Sequence, residues 1–438
     1  MTTTTTSTPH HESAAAARSE LIGATRNESR RLMEAWWADL SEAGETGKPV
    51  ANVFVMGSLA EILRCFDIRM SAPEITSLQT AVRGKSMEFL NAAEDAGYSP
   101  DICGYVKVDT GLHLTGRNHP NGRLPKPSMV IAPNTCNTYI KWAEIWERMY
   151  RCPTFVLDLP GWRGTNGESA DSFEADRAYV EGQVRELIAV CEQVSGRPFD
   201  IDRLREVLAE VNALSVLYRD VIAENKHRPA PFDAMLDGLN YMGIANAWRG
   251  DPAGTAFLRI VLDELRERVR LGMGVLPEEK FRLLAIGTAC YSHFRRFLEL
   301  FHEWGGVFAA SEYMSYAGGG IDKALEYDVD RPIESLAEQT LLSARESYSR
   351  IFYSQDWQAE VVREWKLDGI SYHGVKSCRT VSTGQPDARE WLMRNHDIPG
   401  LFIQSDLVDA RLWSDAQLKN RVDAFFEALA ARKVSERR

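Results

Sequence analysis

The stretch Val50-Ala51-Asn52-Val53-Phe54-Val55-Met56-Gly57-Ser58, followed by Leu59 to Phe66, decides the fold. The almost wholly apolar run reads as a strand buried on both faces. Gly57-Ser58 turns the chain, and the segment after it reads as a helix. Strand, turn and helix in that order form the unit of a parallel sheet covered by helices. Further along, Met129-Val130-Ile131-Ala132 is a second strand, ended by Asn134-Thr135, and Tyr139 to Tyr150 is its helix. Thr154-Phe155-Val156-Leu157-Asp158 is a third strand, broken by Pro160-Gly161.

From about Ser172 to Leu271 the pattern changes to long helices. Val184, Leu187, Ile188, Cys191 and Val194 recur at helical spacing. Gly196-Arg197-Pro198 interrupts, Ile201 to Asn225 resumes, and Pro229, Pro231 and Pro252 mark further breaks. A second alternating half begins near Phe281. Leu283 to Gly287, Gly306 to Ala310, Asp368 to Tyr372 and Gly400 to Gln404 read as its strands. Phe294 to Trp304 reads as a helix, and Ser414 caps a last one from about Asp415 to Arg432. The expectation is an α/β protein with two small Rossmann/flavodoxin-like parallel-sheet domains, over 49–171 and 279–438. A helical segment over 172–278 joins them, and the two halves read as distant structural echoes. Upstream lie a helical extension over 19–48 and a disordered tail over 1–18.

The chain has 438 residues, 44% hydrophobic and 26% charged, with a formal net charge of −11. That balance excludes nucleic acid and anionic membrane as the main partner, since both need a basic face. No apolar run approaches the roughly 20 residues of a membrane span. The Thr-rich start lacks the apolar core of a signal peptide, and His10-His11 reads as solvated tail. Seven cysteines with no CxxC pair read as reduced thiols of a cytoplasmic protein. There is no GxxxxGK[ST] phosphate loop, HExxH or GxSxG, and Gly272-Met273-Gly274 lacks the third glycine of GxGxxG. If the chemistry needs ATP, another subunit supplies it.

Three cysteines stand beside turns in stretches that read as strand ends: Cys103 between Pro100 and Gly104, Cys136 after Asn134-Thr135, and Cys378 after Val375. In open α/β folds, strand carboxyl ends converge on one ligand-binding crevice. Cys136 and Cys378 each precede a helix, whose N-terminus favours thiolate, and Lys376 and Arg379 add to that at Cys378. Metal ligation and inert burial both stand on these residues alone. Cys191 and Cys65 read as helical core, and Cys152 lies at the wrong end of its strand. Cys290 follows a strand and is open to either reading.

Several ordered segments carry a resemblance. They are Cys65-Phe66-Asp67; Asp101-Ile102-Cys103-Gly104-Tyr105-Val106-Lys107-Val108-Asp109; Phe199-Asp200-Ile201-Asp202-Arg203-Leu204-Arg205-Glu206; Val375-Lys376-Ser377-Cys378; and Ser405-Asp406-Leu407-Val408-Asp409-Ala410-Arg411 with Asn420-Arg421. With them the chain resembles the benzoyl-CoA reductase and 2-hydroxyacyl-CoA dehydratase cluster-binding subunits, from about residue 50 to 427. The resemblance implies one 4Fe–4S cluster held by Cys103, Cys136 and Cys378, with one iron open. It also implies a paralogous cluster-binding subunit as partner. An ATP-hydrolysing activator, fed indirectly by ferredoxin, would deliver the electron. The expected reaction is low-potential reduction of an aromatic acyl-CoA to a cyclohexadiene thioester. A radical dehydratase subunit is the alternative, and a cluster-free scaffold a second one. His373 stands between a proton donor and a structural histidine. Ser58 stands between a substrate contact and a helix cap, and Trp142 and Trp146 between core and an aromatic wall.

Overall fold

The structure is a computed structural model that describes residues 21–436 apart from Met56, residues 162–168 and Tyr353. The tail expected over 1–18 lies outside the described residues. Eight strands form two sheets: β1 (Val50–Val53), β2 (Arg69–Ser71), β3 (Met129–Pro133) and β4 (Thr154–Leu157), then β5 (Phe281–Ile286), β6 (Gly306–Ser311), β7 (Gly369–Val375) and β8 (Gly400–Ser405). Every pairing in both sheets is parallel. The strand orders are β2-β1-β3-β4 and β8-β7-β5-β6. β1, β3, β5 and β7 are buried throughout, because helices cover both faces. The edge strands β4 and β8 are partly exposed.

Sequence reading misses β2. It is three residues long, begins with Arg69, and has no apolar run to announce it. The crossover from β2 to β3 carries the helices Pro73–Val82, Ser86–Asp95 and Gly104–Leu114. The segment between the sheets contains the helices Ala170–Ser195, Ile201–Glu224, Asp237–Ala247 and Pro252–Arg270. Ser169 opens the first with a capping box, while Asp200 and Asp251 cap others with their side chains. The break read at Pro252 is the first turn of its helix, where the missing N–H does no harm. The N-terminal helix Ala24–Thr46 ties this segment to the first sheet. Thr25 N–H donates to Glu264 Oε2 (2.9 Å), and Trp36 Nε1 donates to the Met70 carbonyl (3.2 Å).

A charged clamp joins the two sheet domains. Arg411, beyond β8, donates to both oxygens of Glu94 at 2.9 and 2.7 Å. The buried Lys107 donates to Glu94 Oε1 (2.9 Å) and to the Pro100 carbonyl (2.8 Å). Chiefly because of Arg411, the Glu94 carboxyl is pulled down from 4.5 to about 2. Two segments far apart in sequence, around Lys107 and Arg411, thereby meet on one carboxylate.

Candidate functional site

Cys136 and Cys378 occupy similar places. Each follows a buried inner strand of its sheet, β3 or β7, and caps a helix, Asn137–Tyr150 for Cys136 and the single turn Arg379–Ser382 for Cys378. Strand carboxyl ends of this kind are where α/β folds open their crevice. Cys103 departs from expectation. It follows no strand but caps the helix Gly104–Leu114, at the end of a loop beyond Ser86–Asp95. Pro100 and Gly104 signal a helix start rather than a strand end.

Hydrogen bonds fix Cys103 against Cys378. Gly104 N–H donates to Ser377 Oγ (3.1 Å), and Ser377 N–H donates to Asp406 Oδ2 (3.0 Å). The other Asp406 oxygen accepts from the N–H groups of Val408 and Asp409. A Cβ on Gly104 would lie 2.6 Å from Val408 Cγ2 and 2.9 Å from Asp406 Oδ1, so only glycine lets the loops approach.

All three thiols line one cavity of about 80 Å³, closed mainly by apolar groups such as Val55, Val381 and Leu407. Backbone N–H groups of each helix's first turn face its sulfur: Tyr105 and Val106 for Cys103, Thr138 and Tyr139 for Cys136, Thr380 and Val381 for Cys378. These amides favour thiolate, but burial outweighs them. It raises the Cys103 thiol well above 9, raises Cys136, and pushes Cys378 up to about 11. The expected lowering by helix ends, Lys376 and Arg379 is therefore reversed. Lys376 is exposed, and both basic side chains line an outer groove rather than the cavity. Among the described residues, no group of three His, Cys, Asp or Glu has the geometry to hold a single metal ion. In a four-iron cube each thiolate meets its own iron, so the sulfurs stand farther apart than the ligands of one ion. Soft donors in an apolar space, faced by N–H groups, are the donor chemistry of such clusters.

The cavity also contains an acid that the sequence reading missed. Glu74, at the start of the helix after β2, is buried, and burial raises its carboxyl from 4.5 to about 7. Val55 N–H donates to Oε2 (2.9 Å) and Tyr139 Oη donates to Oε1 (2.8 Å). Phe54 stacks on Tyr139 with ring centroids 3.8 Å apart, which fixes the tyrosine. The only sequence signal was a glutamate beside Pro73 at a helix start, a common and unspecific arrangement.

The other candidates divide. His373 is buried on β7, with Nδ1 2.5 Å from the Thr288 carbonyl and Nε2 2.6 Å from Ser405 Oγ, and does not line the cavity. Burial lowers its pKa below the ordinary imidazole value. Cys290 is fully buried behind the crevice, 3.6 Å from Ser292 Oγ. Cys191 is fully buried and Cys65 half-buried against the core, and desolvation pushes both thiols up to about 12. Trp142 and Trp146 both donate to Asp109 Oδ2, at 2.7 and 2.9 Å; Trp142 also forms cavity wall. Ser58 Oγ accepts from Ala60 N–H (3.3 Å), a turn-closing contact. No helix among the described residues is long and apolar enough to cross a membrane.

Residues 58–429 match the family model described as 2-hydroxyglutaryl-CoA dehydratase, D-component. The chain is similar to a benzoyl-CoA reductase subunit of Thauera aromatica, 34% identical over 398 residues covering 89% of this chain and 90% of the relative. It is also similar to the alpha subunit of lactoyl-CoA dehydratase of Anaerotignum propionicum, 27% identical over 83% of this chain and 87% of the relative. A third relative is the (R)-2-hydroxyisocaproyl-CoA dehydratase alpha subunit of Clostridioides difficile, 26% identical over 93% and 96%. The chain thus belongs to the 2-hydroxyglutaryl-CoA dehydratase D-component family and is a subunit of a reductase- or dehydratase-type enzyme.

Proposed function

We propose that this chain is the iron–sulfur subunit of an ATP-dependent reductase acting on an aromatic acyl-CoA, and that Cys103, Cys136 and Cys378 hold a 4Fe–4S cluster. The observation that carries the reading is the convergence of these thiols, from both sheet domains, on one apolar cavity. Such a cluster supplies low-potential electrons one at a time. The backbone N–H groups at each sulfur stabilise the thiolate that burial alone disfavours, so binding metal displaces a proton from each thiol. Val381, Leu407 and Trp142 exclude water and offer an apolar wall to a ring. Glu74 holds a proton near neutral pH and faces the same space, which suits it to protonate a reduced ring. Tyr139, donating to Glu74 Oε1, orients the carboxyl.

In this reading electrons come from an ATP-hydrolysing activator, itself reduced through ferredoxin, as the family resemblance implies; the sequence has no GxxxxGK[ST] loop. A paralogous cluster-binding subunit completes the enzyme, in the cytoplasm. Identity of 34% to a reductase subunit, against 27% and 26% to dehydratase subunits, favours reduction over dehydration. The test is product analysis under strict anaerobiosis, with activator, ATP and a low-potential donor. Benzoyl-CoA should give a cyclohexadiene thioester with electrons consumed. Conversion of a 2-hydroxyacyl-CoA to an enoyl thioester, with no net electron consumption and no ring reduction, would make the chain a dehydratase subunit instead.

A further inference from the structure

Two helices leave the thiol cavity from the cysteines that cap them. The helix Asn137–Tyr150 starts at Cys136 and carries Trp142, Trp146 and Tyr150 at four-residue intervals, which sets the three rings one above the other on one face. Trp142 forms wall of the cavity. The buried indoles of Trp142 and Trp146 lie against each other, with ring centroids 5.3 Å apart. Tyr150 ends the helix about 20 Å from its start. It is half-buried and so reaches the surface.

The helix Gly104–Leu114 starts at Cys103 and brings a base to each of these rings. Asp109 Oδ2 accepts from Nε1 of Trp142 (2.7 Å) and of Trp146 (2.9 Å). His113 Nε2 lies 3.4 Å from Asp109 Oδ1, which leaves Nδ1 to accept from Tyr150 Oη at 2.5 Å. Asp109 is 1% exposed, yet none of its partners among the described residues is a lysine or arginine. A buried carboxylate normally has such a cation. Here two indole N–H groups and an imidazole take that place. A backbone carbonyl would satisfy a buried indole as well; a carboxylate adds a base. Tryptophan and tyrosine are also the aromatic side chains that most readily lose one electron, and each sheds its N–H or O–H proton when it does.

We infer that Trp142, Trp146 and Tyr150, with Asp109 and His113 as their bases, form a route that discharges one-electron oxidants from the thiol cavity at the surface. The inference rests on the iron–sulfur reading of the preceding subsection, because a low-potential centre also gives single electrons to dioxygen and so generates oxygen radicals beside its own ligands. Left there, such radicals carry thiolates up to irreversible sulfur acids. Trp142 gives one electron to the oxygen radical, which is reduced to its anion. Trp146 refills Trp142, and Tyr150 refills Trp146. Asp109 takes the Nε1 proton of whichever indole is oxidised and returns it when that indole is refilled. The phenolic proton of Tyr150 passes to His113 Nδ1. One electron has then reached the oxidant, and a phenoxyl radical stands at the surface. A thiolate in solution supplies the missing electron, becoming a thiyl radical, and the proton returns from His113.

The test is a limited pulse of dioxygen to the anaerobic holoenzyme, quenched by freezing, with electron paramagnetic resonance, iron count and peptide mass spectrometry on the same sample. Wild type should show a tyrosyl resonance, narrowed when its tyrosines are ring-deuterated, and oxidation products at Tyr150. Tyr150→Phe should abolish that resonance and move the products to Trp142, Trp146 and the cavity cysteines. Trp146→Phe, with iron retained, should abolish it although Tyr150 is still present, which loss of a merely structural indole would not do. His113→Gln asks the same from the surface side, should Trp146→Phe fail to fold: it removes the proton acceptor, keeps every ring, and should also abolish the resonance. Tyr179→Phe is the control, an exposed tyrosine whose hydroxyl donates to Asp158 Oδ2 (3.0 Å), and should change nothing. A tyrosyl resonance that survives Tyr150→Phe or Trp146→Phe, or products as abundant at Tyr179 as at Tyr150, would overturn the route. So would an iron-loaded wild type that forms no organic radical. A wild type without iron would remove the iron–sulfur reading and the route with it, a result the iron count tells apart from failure of the route alone.

Discussion

The two sheet domains are built alike and put similar positions to different use. A buried inner strand leads into a helix capped by cysteine in both, Cys136 after β3 and Cys378 after β7. Both thiols reach the cavity. After the second strand, each domain places a glutamate: Glu74 beyond β2 and Glu312 beyond β6. Only Glu74 lines the cavity; Glu312 is buried near Tyr372 inside the second domain. After the first strand the contrast repeats. Gly57 and Ser58 line a small cavity, whereas Cys290 is sealed in the core. A shared architecture thus fixes where a residue can reach, and the packing of the crossover helices decides whether it does.

That comparison can be broken in graded steps. The largest effect is expected at the glutamates. Glu74→Gln should lower kcat at least about a hundredfold with the cluster intact, as loss of a general acid does. Glu312→Gln should leave the chemical step unaffected; comparable losses in both would remove the distinction drawn between them. A smaller effect is expected where the domains touch. Gly104→Val pushes a side chain into Val408 and Asp406, and should destabilise by about 1–3 kcal/mol, read as a lower Tm. An unchanged Tm would mean the loops are looser than the contacts indicate. The smallest effect concerns the clamp. Glu94 titrates at about 2 when folded against 4.5 ordinarily, so its stabilisation is complete above 4.5 and fades as pH falls towards 2. Denaturant midpoints of wild type and Glu94→Gln should therefore differ slightly at neutral pH and converge on acidification. The difference is modest because Arg411 is 43% exposed. A gap that widened in acid would contradict the clamp.

Much of this arrangement was legible in the chain. Apolar runs at Val50, Met129, Leu283 and Gly306 announced buried parallel strands, since such strands need no alternation. The positions read for Cys136 and Cys378, after a strand and before a helix, are those the structure shows. The strand end read at Cys103 is a loop-to-helix turn, because the two share the same Pro and Gly signals. The direction of the thiol pKa shifts was not legible. Helix ends and nearby basic residues can be read from sequence, whereas desolvation depends on what the fold packs around each sulfur. Glu74 stayed hidden on the same account: a lone glutamate acquires meaning only from the cavity it faces. His373 shows the converse, a strand histidine whose partners hold both ring nitrogens.

The central claim is that thiols from both domains share one cluster, and iron and sulfide counts test it most directly. They should be made on anaerobically purified wild type, Cys136→Ser, Cys378→Ser and Cys290→Ser. The account predicts about four irons and as much sulfide per chain in wild type and Cys290→Ser, as one cube requires, and loss of both in the other two variants. Full iron retained in Cys136→Ser or Cys378→Ser, or iron lost only in Cys290→Ser, would contradict it.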